Sequence, residues 1–385
     1  MGKTLTQIAQ QLHTANKKVQ LIYAFNGIGK TRLSREFKEL VAPKASPADE
    51  GDSAADQPSA FHNIIYYNAF TEDLFYWDND LKEDAQRRLI IQRNSFTKKL
   101  LSFLEEQGQD GNIAKHFQRY TNSKITPHFS EGFRSITFSL ERGGSDTIHN
   151  LKISKGEESN FIWSLFYTVL EEAVSILADE PDDRSSRAFD ELEYVFIDDP
   201  VSSLDENHLI EIAVDLANLI KKANGKIQFI VSTHNALFYN AFSNTLTRCQ
   251  PTAALDKRIL KKTDDGHFEI KNQDASQFLY HLYLKEEIEK AVSNKSIKKY
   301  HFNYLRNILE KTAIFLGHQR WKDILPDISI DLASYESRML DMSSHSDYAG
   351  EEVVDMSDKA VTDLEEILKA INSTYHFNKF QQRPL

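Results

Sequence analysis

Apolar and polar positions follow two regimes along this chain, and the change between them divides it. Over the first two-thirds, short β-branched and aromatic runs alternate with amphipathic stretches. KVQLIYAF (18–25) reads as a buried strand. NGIGKT comes next, and RLSREFKELV after it has helical spacing. NIIYY (63–67) reads as a strand, residues 81–125 as polar and helical, and 126–143 as an alternating edge or hairpin strand. A helix follows LKISKGEESN. YVFIDD (194–199) and IQFIVSTH (227–234) are the two clearest buried strands, with the helix LIEIAVDLANLIKKA between them. Beyond about residue 275 strand signals fade, and 277–320 and 358–375 carry helical spacing. Residues 42–60 are small, acidic and proline-containing, and read as a disordered surface loop that cannot bury enough apolar area to offset chain entropy. ADEPDDRSSRAFDE reads as a second acidic surface segment. No apolar run approaches the length of a membrane span. The pattern predicts an α/β domain over 1–268, with a helical insertion near 81–125, and a mainly α-helical domain over 269–385.

Composition adds limits. With 385 residues, 41% hydrophobic and 27% charged, the chain is an ordinary soluble protein with room for two or three domains. The N-terminus lacks a signal peptide's apolar region, so a cytoplasmic location is expected. A single cysteine, Cys249, excludes an intramolecular disulfide, makes a cysteine-based zinc site a poor fit, and reads as a structural thiol. A net charge of −11 argues against nucleic-acid binding through overall charge, but not against a local basic patch.

The first strand leads into chemistry. AFNGIGKT, Ala24 to Thr31, fits the phosphate-loop pattern with Ala in place of the first Gly, between a strand and a helix. Asn26, Gly27 and Gly29 would wrap backbone N–H groups around phosphate oxygens. Lys30 would supply a point charge to the β- and γ-phosphates, and Thr31 would place its hydroxyl on Mg²⁺. Such a site needs a second apolar strand ending in an acid. Asp198 has that position and would hold Mg²⁺, leaving Asp199 to polarise the attacking water.

Three further pieces resemble the ABC-type ATPases, including their SMC-like branch. SSLD (202–205), ending in Asp205, follows the acid pair as a D-loop does; His234, closing STH, stands where a switch histidine faces the γ-phosphate. SKGEES (154–159) resembles the signature in its S-x-G-E form through Ser154, Gly156 and Glu157. Asn68, after IIYY, stands for the Q-loop glutamine. In such proteins the signature of one subunit caps nucleotide on the other, so a nucleotide-bound dimer or higher homo-oligomer is expected. There is little room for a long coiled coil between 81 and 150, which disfavours an SMC-type DNA-repair ATPase. Nothing in the residues separates ATP from GTP.

In the C-terminal third, KAVSNKSIKKYHFNYLR (290–306) interleaves Lys295, Lys298 and Lys299 with aromatic residues. That mixture suits RNA, whose phosphates need cations and whose unstacked bases need rings. Taken alone it is more simply a solvated amphipathic helix with aromatics in the core. Arg306 and Glu310 share one helix face, as an ordinary surface ion pair would. With His345, in MSSHSDYAGEE, they would also suffice for metal-free RNA cleavage. A partner-binding domain on a defence-associated ATPase, with no RNA scission, stays the alternative on residues alone.

The matching runs VQLIYAFNGIGKTRLSREFK, YYNAFTEDLFYWDNDL, SKGEESNFIWS, YVFIDDPVSSLDENHLIE and YHFNYLRNILEKTAIFLG, with SSHS beyond, resemble the PrrC-type bacterial tRNA anticodon nucleases over nearly the full length. YYNAFTEDLFYWDND is not a generic ATPase motif. The resemblance implies an α/β P-loop NTPase of ABC/SMC type followed by a mainly α-helical nuclease domain. It assigns RNA cleavage to Arg306, Glu310 and His345. Asp274, in KNQDASQF, falls in the segment that reads the anticodon loop, although the residues after it depart from the family's pattern. It further implies ATP or GTP with Mg²⁺, dTTP as a stabilising nucleotide, cleavage of tRNA-Lys on the 5′ side of the wobble base without metal, latency in a type I restriction–modification complex, and a role in phage defence.

Overall fold

The computed structural model describes residues 2–15, 17–43, 61, 63–80, 83, 85–141, 147–200, 206–223, 226–247, 255–263, 265–273, 280–326, 358–375 and 377. The greater part of the 42–60 segment and Cys249 lie outside them. The chain divides into two compact units, Met1–Ser276 and Gln277–Leu385.

The first unit runs α1 (Leu5–Thr14), β1 (Val19–Tyr23), α2 (Lys30–Val41), β2 (Asn63–Tyr67), β3 (Phe75–Asp78), β4 (Arg88–Ile91), α3 (Ser95–Glu106), α4 (Asp110–Thr121), β5 (Ile125–Phe129), β6 (Ser135–Glu141), β7 (Thr147–Ile148), α5 (Lys155–Ala178), β8 (Leu192–Asp198), α6 (Glu206–Lys222), β9 (Gln228–Thr233), α7 (Ala236–Thr247), β10 (Leu255–Lys262) and β11 (Phe268–Asn272). Six strands form one sheet in the order β11-β10-β1-β9-β8-β2. Every neighbour in it is parallel except the β10–β11 pair. Because β11 pairs with β10, the first unit continues past the expected division at 268.

Parallel strands covered by helices read as unbroken apolar runs. β1 is buried at all five positions, and Phe196 and Ile230 are fully buried. Leu5, Ile8 and Leu12 of α1 and Leu33 and Phe37 of α2 pack into this core. α1 lies ahead of the first predicted strand and carries its own local signals. Thr4 and Gln7 form a capping box, and the buried positions are Leu5, Ile8, Ala9 and Leu12. LDKRILKK is rich in charge, unlike a usual buried strand, and yet it forms β10. One of those charges, Arg258, is 6% exposed and paired with Asp256 at 2.5 Å.

The second sheet is antiparallel, in the order β3-β4-β6-β5, with β7 also on β6. The region expected to be helical over 81–125 therefore holds β4 before α3 and α4. RLII is four residues long, too short for its period to be read, and it is a strand because β3 and β6 flank it. α5 is the one described helix long and apolar enough to cross a membrane, contrary to the expectation of no such run. Yet 78% of its apolar window is buried inside the fold, as in the core helix of a globular unit.

The acidic segment 178–191 is anchored. Phe189 is fully buried and stacks on Phe61 at 5.1 Å, with Phe103 edge-on at 4.8 Å. Arg184 and Arg187 both bond Asp190 beside it. Replacing Phe189 by alanine should lower unfolding free energy by about 3–5 kcal/mol, measurable in a denaturant titration. An unchanged midpoint would return the segment to the surface.

The second unit contains α8 (Tyr280–Ser293), α9 (Lys299–Phe315), a 3₁₀ turn at Trp321–Ile324 and α10 (Asp358–Tyr375). Leu284, Ile288 and Ala291, then Phe302, Leu305 and Leu309, then Leu364, Leu368 and Ile371 are buried at helical spacing. A five-residue connection, 294–298, returns α9 against α8.

Candidate functional site

In the first unit the strand order places the chemistry. β9 lies between β1 and β8, and the three run parallel, so their C-terminal ends share one edge of the sheet. Tyr23 pairs with Thr233, and Asp198 with Ser232. The phosphate loop leaves β1 with Ala24 N–H donating to the Thr233 carbonyl at 3.0 Å, and Asp199 leaves β8 with its N–H on the Ser232 carbonyl at 2.8 Å. The loop, the acid pair and His234 thus meet through backbone bonds before any side chain is considered.

Gly27 has φ +78° and Gly29 φ +106°, conformations a side chain disfavours. Gly29 is the N-cap of α2 and offers no side-chain cap, so the first-turn N–H groups of α2 stay available to an anion. Lys30 is 7% exposed. Its Nζ donates to the Ala24 carbonyl and to Asn26 Oδ1, each at 3.3 Å, and stands 3.6 Å from Asp199. Thr31 Oγ1 donates to Asp198 Oδ2 at 2.6 Å, and Ser232 Oγ to Asp198 Oδ1 at 2.6 Å. This donor set fits a nucleoside triphosphate with Mg²⁺. It offers a backbone cradle, a buried ammonium that among the described residues meets two neutral oxygens and one carboxylate, and a hydroxyl–carboxylate pair facing each other.

The two acids differ. Burial pushes the fully buried Asp198 carboxyl up, with its two hydroxyl donors and Lys30 opposing the shift. Burial acts the same way on Asp199, but His234 and Lys30 outweigh it and hold its carboxyl below the usual value. His234 Nδ1 lies 2.5 Å from Asp199 Oδ2. Asp199 takes φ +55°, and its carboxylate lies against His234 and Lys30. Ser232 is a site residue that sequence reasoning missed. Its signal was the same VSTH run that singled out His234.

The remaining assignments divide. Asn68 is 8% exposed, and its amide is engaged by Tyr66 and Thr71. Ser154 is the N-cap of α5. Its N–H donates to Glu157 Oε2 at 2.7 Å and its Oγ accepts from Glu157 N–H at 3.3 Å. Glu157 therefore closes a capping box, with Gly156 inside the same turn. Asp205 lies outside the described residues.

In the second unit, Arg306 Nε donates to Glu310 Oε1 at 2.8 Å across one turn of α9, both side chains roughly two-fifths exposed. Lys298 is the N-cap of α9, and Lys295 ends the preceding turn at φ +52°; both are exposed. His345 and Asp274 lie outside the described residues, as does the side chain of Lys299. One cavity of about 430 Å³ is lined by His281, Lys285, Lys311, Phe315, Tyr375 and neighbours. His281 bonds Asn307 at 3.1 Å, and burial pushes its pKa down.

The chain is 50% identical over 377 residues to an anticodon nuclease from Escherichia coli, a match spanning 92% of each protein. Residues 113–373 match a family described as an AAA domain. Among solved structures it is similar to an RNase-L Inhibitor, with 12% identity, a TM-score of 0.35, and coverage of 71% of this chain and 37% of that one. It is also similar to the SMC head domain from Thermotoga maritima, with 12% identity, a TM-score of 0.31, and coverage of 67% and 91%. Likenesses this remote say nothing about function.

Proposed function

Because this chain belongs to the anticodon nuclease family, of which it matches a member over 92% of both lengths, we propose that it is an NTP-regulated, metal-independent tRNA anticodon endoribonuclease. That full-length match carries the reading. The ABC/SMC-type P-loop NTPase architecture of the first unit agrees with it.

Lys30 and the α2 N-terminus would bind the triphosphate, and Thr31 and Asp198 would hold Mg²⁺, which neutralises phosphate charge when bound. Asp199, kept ionised by His234 and Lys30, orients the attacking water. His234 reads the γ-phosphate from the other side. Ser154 and Gly156 of a second copy cap that nucleotide, with Asp205 as the D-loop acid, so the active assembly is a dimer or larger. For RNA, one of Glu310 and His345 takes the 2′-OH proton and the other returns a proton to the departing 5′-oxygen, while Arg306 balances charge on the phosphorane. The ends are then a 2′,3′-cyclic phosphate and a 5′-OH. Lys295, Lys298 and Lys299 neutralise the tRNA backbone, and Asp274 contacts the anticodon loop. The finer reading follows the resemblance: tRNA-Lys cut 5′ of the wobble base in the cytoplasm, dTTP as stabiliser, and a type I restriction–modification complex as latency partner in phage defence.

The test is scission of total bacterial tRNA in EDTA, with new 5′ ends mapped by sequencing, for protein as purified and after preincubation with Mg²⁺ and nucleotide. Cuts confined to one anticodon loop are expected. Nucleotide turnover with no cut after either treatment would favour a defence-associated ATPase whose second unit binds a partner.

A further inference from the structure

The run YYNAFTEDLFYWDND, residues 66–80, resembles no generic ATPase motif, and the chemistry above uses almost none of it. Its hydrogen bonds give it a place. Asn68 Nδ2 donates to Tyr66 Oη at 2.8 Å. Ser34 Oγ donates to the Thr31 carbonyl at 2.9 Å, so Tyr66 is the donor in its 2.8 Å contact with Ser34. The relay thus runs one way, from Asn68 through Tyr66 and Ser34 to Thr31, whose hydroxyl meets Asp198. Asn68 Oδ1 accepts from Thr71 at 3.3 Å, and the residue caps the 3₁₀ turn Ala69–Leu74.

The same run then grips the start of α5. Ser159 Oγ donates to Glu72 at 3.1 Å, and Trp77 Nε1 donates to Glu158 at 3.0 Å. Lys152 Nζ donates to Asn79 at 2.7 Å, just ahead of the N-cap. Glu158 is 5% exposed, and its other oxygen takes Lys155 at 2.7 Å. Part-buried chains of this kind hold geometry because an unpaired member becomes more costly as water is excluded.

We propose that residues 66–80 form a positioning bracket between the magnesium side of the phosphate loop and the first turn of α5. Asn68, Tyr66, Glu72 and Trp77 act on nucleoside triphosphate hydrolysis through the residues they hold, without touching nucleotide. The bracket sets where Ser154 and Gly156 stand relative to the chain's own Thr31 and Asp198. It rests on the reading of Lys30 and Asp199 as the hydrolysis site.

Tyr66→Phe removes the hydroxyl that donates to Ser34 and accepts from Asn68 and keeps its ring, and Trp77→Phe removes the indole N–H that meets Glu158 and leaves a smaller aromatic ring. Steady-state hydrolysis is measured for both, for the double variant and for Glu72→Gln, beside the Kd of a fluorescent non-hydrolysable triphosphate analogue with Mg²⁺. Each single change should lower kcat about tenfold, the cost of a small misplacement, with Kd within about twofold. The double variant should be no slower than the slower single, because both open one bracket. Glu72→Gln, which keeps an acceptor for Ser159 but removes the charge, should fall between the parental rate and the slower single variant. Parental kcat in either single variant, losses that multiply in the double, a Kd rise matching the kcat loss, or a Glu72→Gln slower than both singles would each overturn the bracket. Those results with an inactive Lys30→Ala protein remove the bracket alone. Hydrolysis surviving in Lys30→Ala removes the site reading and the bracket with it.

Discussion

Replacing Lys30 by alanine should reduce nucleotide hydrolysis at least about a thousandfold in kcat/KM, roughly 4 kcal/mol of lost transition-state stabilisation. The ammonium is 7% exposed and stands 3.6 Å from Asp199 with two neutral oxygens at 3.3 Å. A γ-phosphate entering this cradle meets a desolvated positive charge, where electrostatic attraction is far stronger than in water. Alanine leaves the two acids facing the phosphates without that charge. Asp199 keeps His234 as a partner, so the fold should survive, and a thermal melt checks this. Lys30→Arg should rescue little, because a planar guanidinium cannot occupy a point-charge position 3.3 Å from both oxygens. Phosphate release is the measurement. More than a tenth of the parental rate in Lys30→Ala would mean that the loop does not bind the triphosphate as described.

The second large effect concerns RNA. His345→Ala, Glu310→Gln and Arg306→Ala should each slow anticodon scission by about 10²–10⁴-fold, the usual contribution of one positioned proton-transfer or charge-stabilising group. Nucleotide hydrolysis should hold at the parental rate in all three. The Arg306–Glu310 pair allows a clean control. At roughly two-fifths exposure it is worth only a few tenths of a kcal/mol to stability, so Arg306→Ala should barely move the melting temperature. Loss of cleavage without loss of stability separates a catalytic pair from an ordinary surface one. If all three variants cut tRNA as fast as the parent, the pair is structural and the partner-binding ATPase becomes the better reading.

The two predictions divide the chain's chemistry between its two units. Lys30→Ala with His345 intact also reports whether nucleotide gates the nuclease. Lys30→Ala alone should then leave scission dependent on whether the protein was already active when purified.

Part of this protein was readable without a structure. AFNGIGKT, YVFIDD and STH were legible because each is a local signal. A glycine turn between strand and helix, an apolar run ending in acids and a strand ending in histidine are fixed by nearest neighbours. The capping box at Thr4 and Gln7, which starts α1, is equally local. The helical period of α8, α9 and α10 showed in their spacing, since one apolar face per helix suffices for a small bundle.

The chemical groups, and the local turns that present them, are written in the amino-acid order. Which of those groups meet depends on how the whole core closes. β9 is inserted between β1 and β8, and this brings Ser232 onto Asp198 and His234 onto Asp199, contacts spanning 34 and 35 residues. β4 is a strand because β3 and β6 lie on either side of it, and β10 tolerates its charges because Asp256 neutralises the buried Arg258. Glu72 and Trp77 reach Ser159 and Glu158 across 87 and 81 residues, which no period could reveal. Strand pairing and buried polar partners are long-range choices made when the whole core closes, because an unpaired strand edge or buried donor is tolerable in the unfolded chain and costly only once water is excluded.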